Sequence, residues 1–445
     1  MKAYVSNWIR VPMAPYWLSE WAQRELVLDN PEYEKRKRLG KWIGDTPKTL
    51  SLYVEDAGAV VLPFGCAQDF VRLAKEHGSA VEYETDFAPF QPLSMQGDIN
   101  LYPYQQRAVE AMARGKNGVL EAPCGSGKTQ MGLALIKKVG GKALWLTHTR
   151  KLLEQSKERA ERYFKGDFGE ITDGKVNIGK DITFATVQTM ADIDPAIYRE
   201  SFSCVVVDEC QHVCGTPTQV MMFYKILCNM RCRHKYGVSA TLSRADGLEK
   251  CIYATIGPKL HTVTQEEVGS KIVKSTHVPV MNPKRYEISD YCGPDGMMDY
   301  NSLVSMLCED DERDVIIAKK VKERALEGSK GQLLLTSRVA HAERLARLIP
   351  GASLVCGKVK ESARDYLAPV IVATYQLAKE GLDIPSLDTL HLCTPTKDPI
   401  AVKQSAGRVE RACEGKLPPI VYDYVDEDIP YCLGAYRKRK SILRK

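Results

Sequence analysis

The sequence predicts an α/β protein with two tandem lobes, each built on a parallel sheet, preceded by a small α+β accessory segment. Three observations lead there. The chain has 445 residues, more than one core can organise, since single cores stop growing at about 250–300 residues. From Leu101 onward, short β-branched runs alternate with helical stretches, the pattern of a parallel sheet with crossover helices. A polar stretch marked by Pro and Gly, MNPKRYEISDYCGPDG at 281–296, interrupts the alternation, which then starts again.

The elements follow in order. Residues 1–97 mix a basic helix-like run (NPEYEKRKRLGKW, 30–42) with strand-like runs (TLSLYV, 49–54; AVVLPF, 59–64), and their fold does not follow from periodicity. Residues 98–269 carry GVLEA (118–122), KALWL (142–146), ITFAT (182–186), CVVVD (204–208) and YGVSA (236–240) as strands of the first lobe. Residues 270–445 carry QLLLT (332–336), VIVAT (370–374), TLHLC (389–393) and IVYDY (420–424) as strands of the second. Only about twenty residues separate the start of GASLVC (351–356) from the start of VIVAT (370–374), which is short for the usual helix pair.

Composition narrows the class. Hydrophobic content of 44% and charged content of 27% are those of a globular protein, not of a disordered or fibrous one. No apolar run reaches the roughly 18–20 residues that span a bilayer, and the first ten residues lack the order of a signal peptide, so a cytoplasmic location is expected. Fourteen scattered cysteines suit reduced thiols in that compartment. Cys210, Cys214, Cys228, Cys232 and His234 invite a metal reading, but the x3 spacing and the apolar segment between them favour buried thiols. The net charge is +6. Lys35–Arg38 with Lys41, and the tail Arg437–Lys440 with Arg444 and Lys445, are candidate phosphate-contacting patches or plain solvated surface.

The chemistry starts at EAPCGSGKTQ (121–130). Between a strand and a helix, such a loop offers backbone N–H groups and a helix N-terminus to phosphates. Gly125, Ser126 and Gly127 would wrap the β-phosphate, Lys128 would reach the β- and γ-oxygens, and the Thr129 hydroxyl would ligate Mg²⁺. Ala122 stands where the general motif has a glycine. Hydrolysis also wants a carboxylate at a strand end. In VVVDECQH (205–212), three apolar residues deliver Asp208 to the edge where open α/β sheets bind ligands. Asp208 is then the Mg²⁺ partner, and Glu209 the general base for the attacking water.

The series APCGSGKT, DECQH, SAT (239–241) and QSAGRVER (404–411) resembles the motifs of superfamily-2 helicases of the DEAH/DECH type, in which the first loop position is commonly Ala. The resemblance covers about residues 98–425 and implies two RecA-like lobes. With RADG at 244–247, it is most similar to UvsW-like phage DNA helicases and their transcription-repair relatives. It implies that Gln105 in LYPYQ reads adenine, that Thr149 and Arg150 in LTHTRKLLEQ and Thr186 and Gln188 in FATVQTM touch nucleic acid, and that Ser239 and Thr241 couple hydrolysis to movement. His212 would join the acidic motif to Gln404. In TYQLAKEGLDIP (374–385), Thr374 would touch nucleic acid, while Gly381 and Asp383 would face the nucleotide.

Gln404, Arg408 and Arg411 fall at i, i+4 and i+7, on one helix face. Arginines so placed can stabilise transferring phosphoryl charge, an effect of about 10³–10⁵ in rate. With Lys128 on the other lobe, ATP would bind between the two, and closure would depend on nucleotide.

The expected function is an ATP-dependent DNA helicase or translocase on single-stranded, forked or branched DNA, with ATP and Mg²⁺ as cofactors. RNA helicase activity, or nucleotide-gated DNA binding and recruitment without unwinding, are the alternatives. A small-molecule kinase would leave the arginine helix without a role. The expected partners are DNA, RNA as the competing substrate, and replication or repair proteins, with no membrane and a monomeric chain. Residues 1–97 resemble the accessory domain that engages duplex or branched DNA in phage and bacterial relatives.

Overall fold

The computed structural model describes residues 1–268 except 245, and residues 274–443 except 281–285, 294–295, 380–383, 385, 397, 411–412 and 414. It divides into two compact units, Met1–Val268 and Gly269–Lys445.

The first unit opens with a five-stranded sheet in the order Val54–Asp56, Ala59–Pro63, Trp8–Val11, Lys2–Val5, Glu82–Thr85. Neighbours are antiparallel except the last pair. Helices Tyr16–Glu25 and Ala67–Glu76 bury Leu18, Trp21, Phe70 and Leu73 with Ile9, Val60 and Leu62 of the sheet. The same cluster includes Cys214, Leu248, Cys251 and Ala254 from the following domain. Residues 1–97 thus share a core with what comes after them. The basic run forms helix Pro31–Arg38, capped where the Asn30 side chain accepts from Glu32 N at 3.0 Å. None of its residues is buried.

An eight-stranded sheet follows, in the order Lys175–Asn177, Phe168–Thr172, Ile182–Thr186, Ala143–Thr147, Cys204–Asp208, His234–Ser239, Gly118–Glu121, Lys259–Thr262. All neighbours are parallel except the hairpin at one edge. The five expected strands occupy its contiguous middle. The edge hairpin and Lys259–Thr262 do not follow from periodicity; Lys175–Asn177 and Lys259–Thr262 are polar and exposed along much of their length. The central strands are apolar on both faces, as a sheet covered by helices on each side requires. Trp145, Val206 and Phe184 lie in one core, and Leu144, Val205 and Val207 in the other.

The second unit holds six parallel strands, ordered Lys274–Val280, Ile420–Asp426, Thr389–Leu392, Gln332–Thr336, Val370–Thr374, Ala352–Val355. The four expected strands are there, beside one at each edge. Between Ala352–Val355 and Val370–Thr374 the chain makes only the 3-10 turn Glu361–Ala363, where the usual crossover has an α-helix. The parallel-sheet units, each sandwiched by helices, are the RecA-like lobes that the sequence predicts.

One member of the basic tail is not free: residues Pro430–Leu443 form a helix whose Arg439 is buried against Asp423, Nη2 to Oδ1 2.6 Å and Nε to Oδ2 2.8 Å, while Arg437 and Lys438 stay exposed. Arg439 also donates to Thr396 O at 2.9 Å, so its charge is spent inside the lobe. Arg444 and Lys445 lie outside the described residues. Among the described residues no helix is long and apolar enough to cross a membrane. The cysteines of the tempting cluster are buried, Cys210 and Cys232 in the apolar core beneath the sheet.

Arg439→Ala leaves Asp423 as an uncompensated buried charge, so the second unit should lose about 3–5 kcal/mol, read as a fall in its denaturant midpoint. Replacing both partners with apolar residues should restore part of that loss.

Candidate active site

Strand register builds the site. Asp208 pairs with Val238, Ser239 with Glu121, and Thr147 with Thr186. The carboxyl ends of five adjacent strands therefore sit at one edge of the sheet.

The phosphate loop leaves Gly118–Glu121 and enters helix Lys128–Val139. Gly125 (φ 82°) and Gly127 (φ 81°) take left-handed conformations that side chains disfavour. A Cβ at Gly127 would stand 2.4 Å from Gln105 Nε2. That contact matters because Gln105 Nε2 and the Tyr104 hydroxyl both donate to Ser126 O, at 2.8 and 3.0 Å. Gln105 Oε1 in turn accepts from Tyr102 N at 3.0 Å. The glutamine thus supports the loop from behind. Ala122, wholly buried, anchors its start by donating from N to Ser239 O at 2.9 Å. Lys128 Nζ points back to Ala122 O at 3.4 Å.

Asp208 is buried at its strand end, 5% exposed. Burial, then the neighbouring Glu209 carboxylate, push its pKa up to about 7, against the opposing charges of Lys128 and Arg159. Glu209 follows in a left-handed conformation (φ 52°) and starts the 3-10 turn Cys210–His212. Such strain in a non-glycine residue is typical of functional sites. Its carboxylate accepts from Gln211 Nε2 at 3.1 Å.

Gln211 is the link that sequence reasoning missed. Its Oε1 accepts from Ser239 Oγ, which also lies 2.6 Å from Thr241 O and accepts from Thr241 N at 3.1 Å. One hydroxyl proton thus has two acceptors, one on the acidic motif and one on its own loop. Arg244 donates to Gln211 O and pairs with Asp246 at 2.6 Å. The expectation for His212 looked to Gln404, but within this unit its ring packs against His148, centroids 4.3 Å apart.

Beside these groups, Thr149 caps helix Arg150–Tyr163 by accepting from Leu152 N at 3.3 Å. Exposed Gln188 donates to His148 O at 3.0 Å, which ties the two loops expected to meet nucleic acid. Arg150 is exposed and paired with Glu154 at 2.8 Å. Thr186 is buried at its strand end, its hydroxyl 3.3 Å from that of Thr189.

The donor set fits a nucleotide with a hard cation. The oxygen ligands Thr129 and Asp208 suit Mg²⁺. The Ser126 hydroxyl, fully buried, has no hydrogen-bond partner among the described residues, as expected where a ligand atom completes the set.

Residues 98–244 match the family model described as "Type III restriction enzyme, res subunit". Several curated helicases are similar to this chain over most of its length. A putative ATP-dependent RNA helicase of Acanthamoeba polyphaga mimivirus is 28% identical over 76% of this chain and 66% of its own length. A putative DNA 3'-5' helicase Rad25 of Halobacterium salinarum is 26% identical over 71% of this chain and 53% of its own. The chain thus spans between about half and two thirds of these curated relatives. Among solved structures, a fragment of a putative HsdR subunit of a type I restriction enzyme from Vibrio vulnificus covers 92% of this chain and 79% of its own, with TM-score 0.54 and 16% identity, a likeness of fold.

In the second lobe, Thr374 ends strand Val370–Thr374, in register with Thr336. Gln404, half-buried, and Arg408, 7% exposed, share helix Pro399–Val409. Gly381, Asp383 and Arg411 lie outside the described residues.

The raised Asp208 pKa has a sign that can be measured. Its folded-state value of about 7 exceeds the ordinary 3.8, so ionising it costs stability that is lost as pH rises from about 4 to about 7. In metal-free buffer, Asp208→Asn should be more thermostable than the parent at pH 8. The gap should close by pH 4.

Proposed function

We propose that this chain is an ATP-driven DNA helicase or translocase. The observation that carries this reading is the assembly at one sheet edge. The phosphate loop, Asp208 and Glu209 are joined through Gln211 and Ser239 to the loop at Thr241, next to the Thr149 and Gln188 loops. A nucleotide site wired by hydrogen bonds to a second set of polar loops can exchange hydrolysis for movement. The likeness of residues 98–244 to the restriction-enzyme res-subunit model and of the chain to a relative named as a putative DNA 3'-5' helicase supports it.

In this reading Lys128 and Thr129 hold the β- and γ-phosphates and Mg²⁺, Asp208 completes the metal's ligands, and Glu209 activates water. Gln404, Arg408 and Arg411 of the second lobe supply positive charge to the transferred phosphoryl group, with Gly381 and Asp383 beside the nucleotide. Thr149, Arg150, Thr186, Gln188 and Thr374 take the nucleic-acid backbone, while His212, Ser239 and Thr241 couple the two events. The domains are residues 1–97, 98–269 and 270–445, the first engaging DNA through its exposed basic helix Pro31–Arg38. The mimivirus relative, named as an RNA helicase, keeps RNA as the second reading.

ATP hydrolysis should rise with single-stranded or forked DNA and rise less with matched RNA. Lys128→Ala should lower it about 10²-fold or more while leaving far-ultraviolet circular dichroism unchanged. Contacts to phosphate should make DNA affinity fall steeply with added salt. No stimulation by any nucleic acid would refute the proposal.

A further inference from the structure

The motif series leaves one cation in the site without a role. Arg159 Nη1 donates to Thr129 Oγ1 at 2.9 Å, the hydroxyl that the reading above gives to the metal. Its charge also reaches Asp208, the other expected ligand. Lys128 meanwhile lies on Ala122 O. Among the described residues, the cation hydrogen-bonded to the expected ligand Thr129 is therefore Arg159, while Lys128 acts on Asp208 through its charge.

Arg159 belongs to helix Arg150–Tyr163, a single 14-residue element capped by Thr149. Arg150 and Arg159 are nine residues apart, about 13 Å along the axis. The helix has one end at the loops that would meet nucleic acid and reaches the Thr129 hydroxyl near the other. Arg159 is half-buried.

We propose that Arg159 is a positioning residue that holds the Thr129 hydroxyl in the nucleotide-free chain and is displaced when metal-bound nucleotide enters, so that helix Arg150–Tyr163 senses the occupancy of the site. The inference rests on the nucleotide-site reading above. The physical argument is competition. A guanidinium hydrogen-bonded to Thr129 Oγ1 repels a dication ligated by the same oxygen. One positive charge about 6 Å from a dication changes metal affinity about tenfold even in a water-like dielectric. The arginine therefore raises the Mg²⁺ concentration needed to lock the nucleotide, and its release is the event the helix reports.

The test is binding, without turnover. Fluorescent methylanthraniloyl-ADP is held with the full chain and free Mg²⁺ is titrated, for the parent and for Arg159→Gln, Arg159→Lys and Lys128→Ala. Arg159→Gln keeps a hydrogen-bond donor without the charge, and should lower the half-saturating Mg²⁺ by about tenfold. Arg159→Lys should titrate like the parent, which a merely structural role would not produce. The inference is overturned if Arg159→Gln titrates like the parent, or if Arg159→Lys behaves like Arg159→Gln. Should Lys128→Ala bind the probe as tightly as the parent, the nucleotide-site reading itself fails. Weak binding by Lys128→Ala with no shift in Arg159→Gln removes only the role of Arg159.

Discussion

Val205, Val206 and Val207 are wholly buried and paired on both sides, so Asp208 has nowhere to emerge but at the carboxyl edge of the sheet. Everything functional in the first unit depends on that register. A slip of one residue would turn the valines to the wrong core and carry the carboxylate away from Thr129. The two apolar clusters on either face of the sheet are what forbid the slip.

At the edge so fixed, the polar groups are under-solvated and crowded with charge. Asp208 carries a raised pKa because the fold denies it water and sets a second carboxylate next to it. Glu209 takes a backbone conformation that few side chains accept. Neither helps the folded state. Both are costs kept in place by the surrounding core, a balance typical of sites that bind a cation. The second unit keeps its buried charges in another way. Arg313 is bonded to Asp426, and Arg439 to Asp423, and each also donates to a backbone carbonyl.

Much of this was legible in the sequence, for reasons that differ from element to element. Strands such as CVVVD and VIVAT announce themselves because burial on both faces demands unbroken apolar runs. The loop GSGKT is legible because its glycines meet a backbone need, seen as φ near 80° at Gly125 and Gly127. Strands Lys259–Thr262 and Lys175–Asn177 were not legible, since edge strands carry polar residues that read as loop. Gln211 stood in plain view inside DECQH, yet only the fold brings Ser239 to it. Arg159 gave no signal, being one charged residue among many on a polar helix until tertiary packing sets it on Thr129. The tail arginine misled for the opposite reason, because a run of like charges says nothing about which member finds a buried carboxylate.

Residues 1–97 share an apolar cluster with Cys214, Leu248, Cys251 and Ala254. Cys214 follows His212 by two residues, and Leu248 and Cys251 come directly after the loop that begins at Thr241. The leading segment is therefore not a separate appendage. It forms part of the apolar wall on which the chain packs just after the acidic motif and just after the loop at Thr241. A chain cut at residue 98 would expose greasy surface where those loops end, and a pull on the leading segment would be felt within a few residues of the acidic motif.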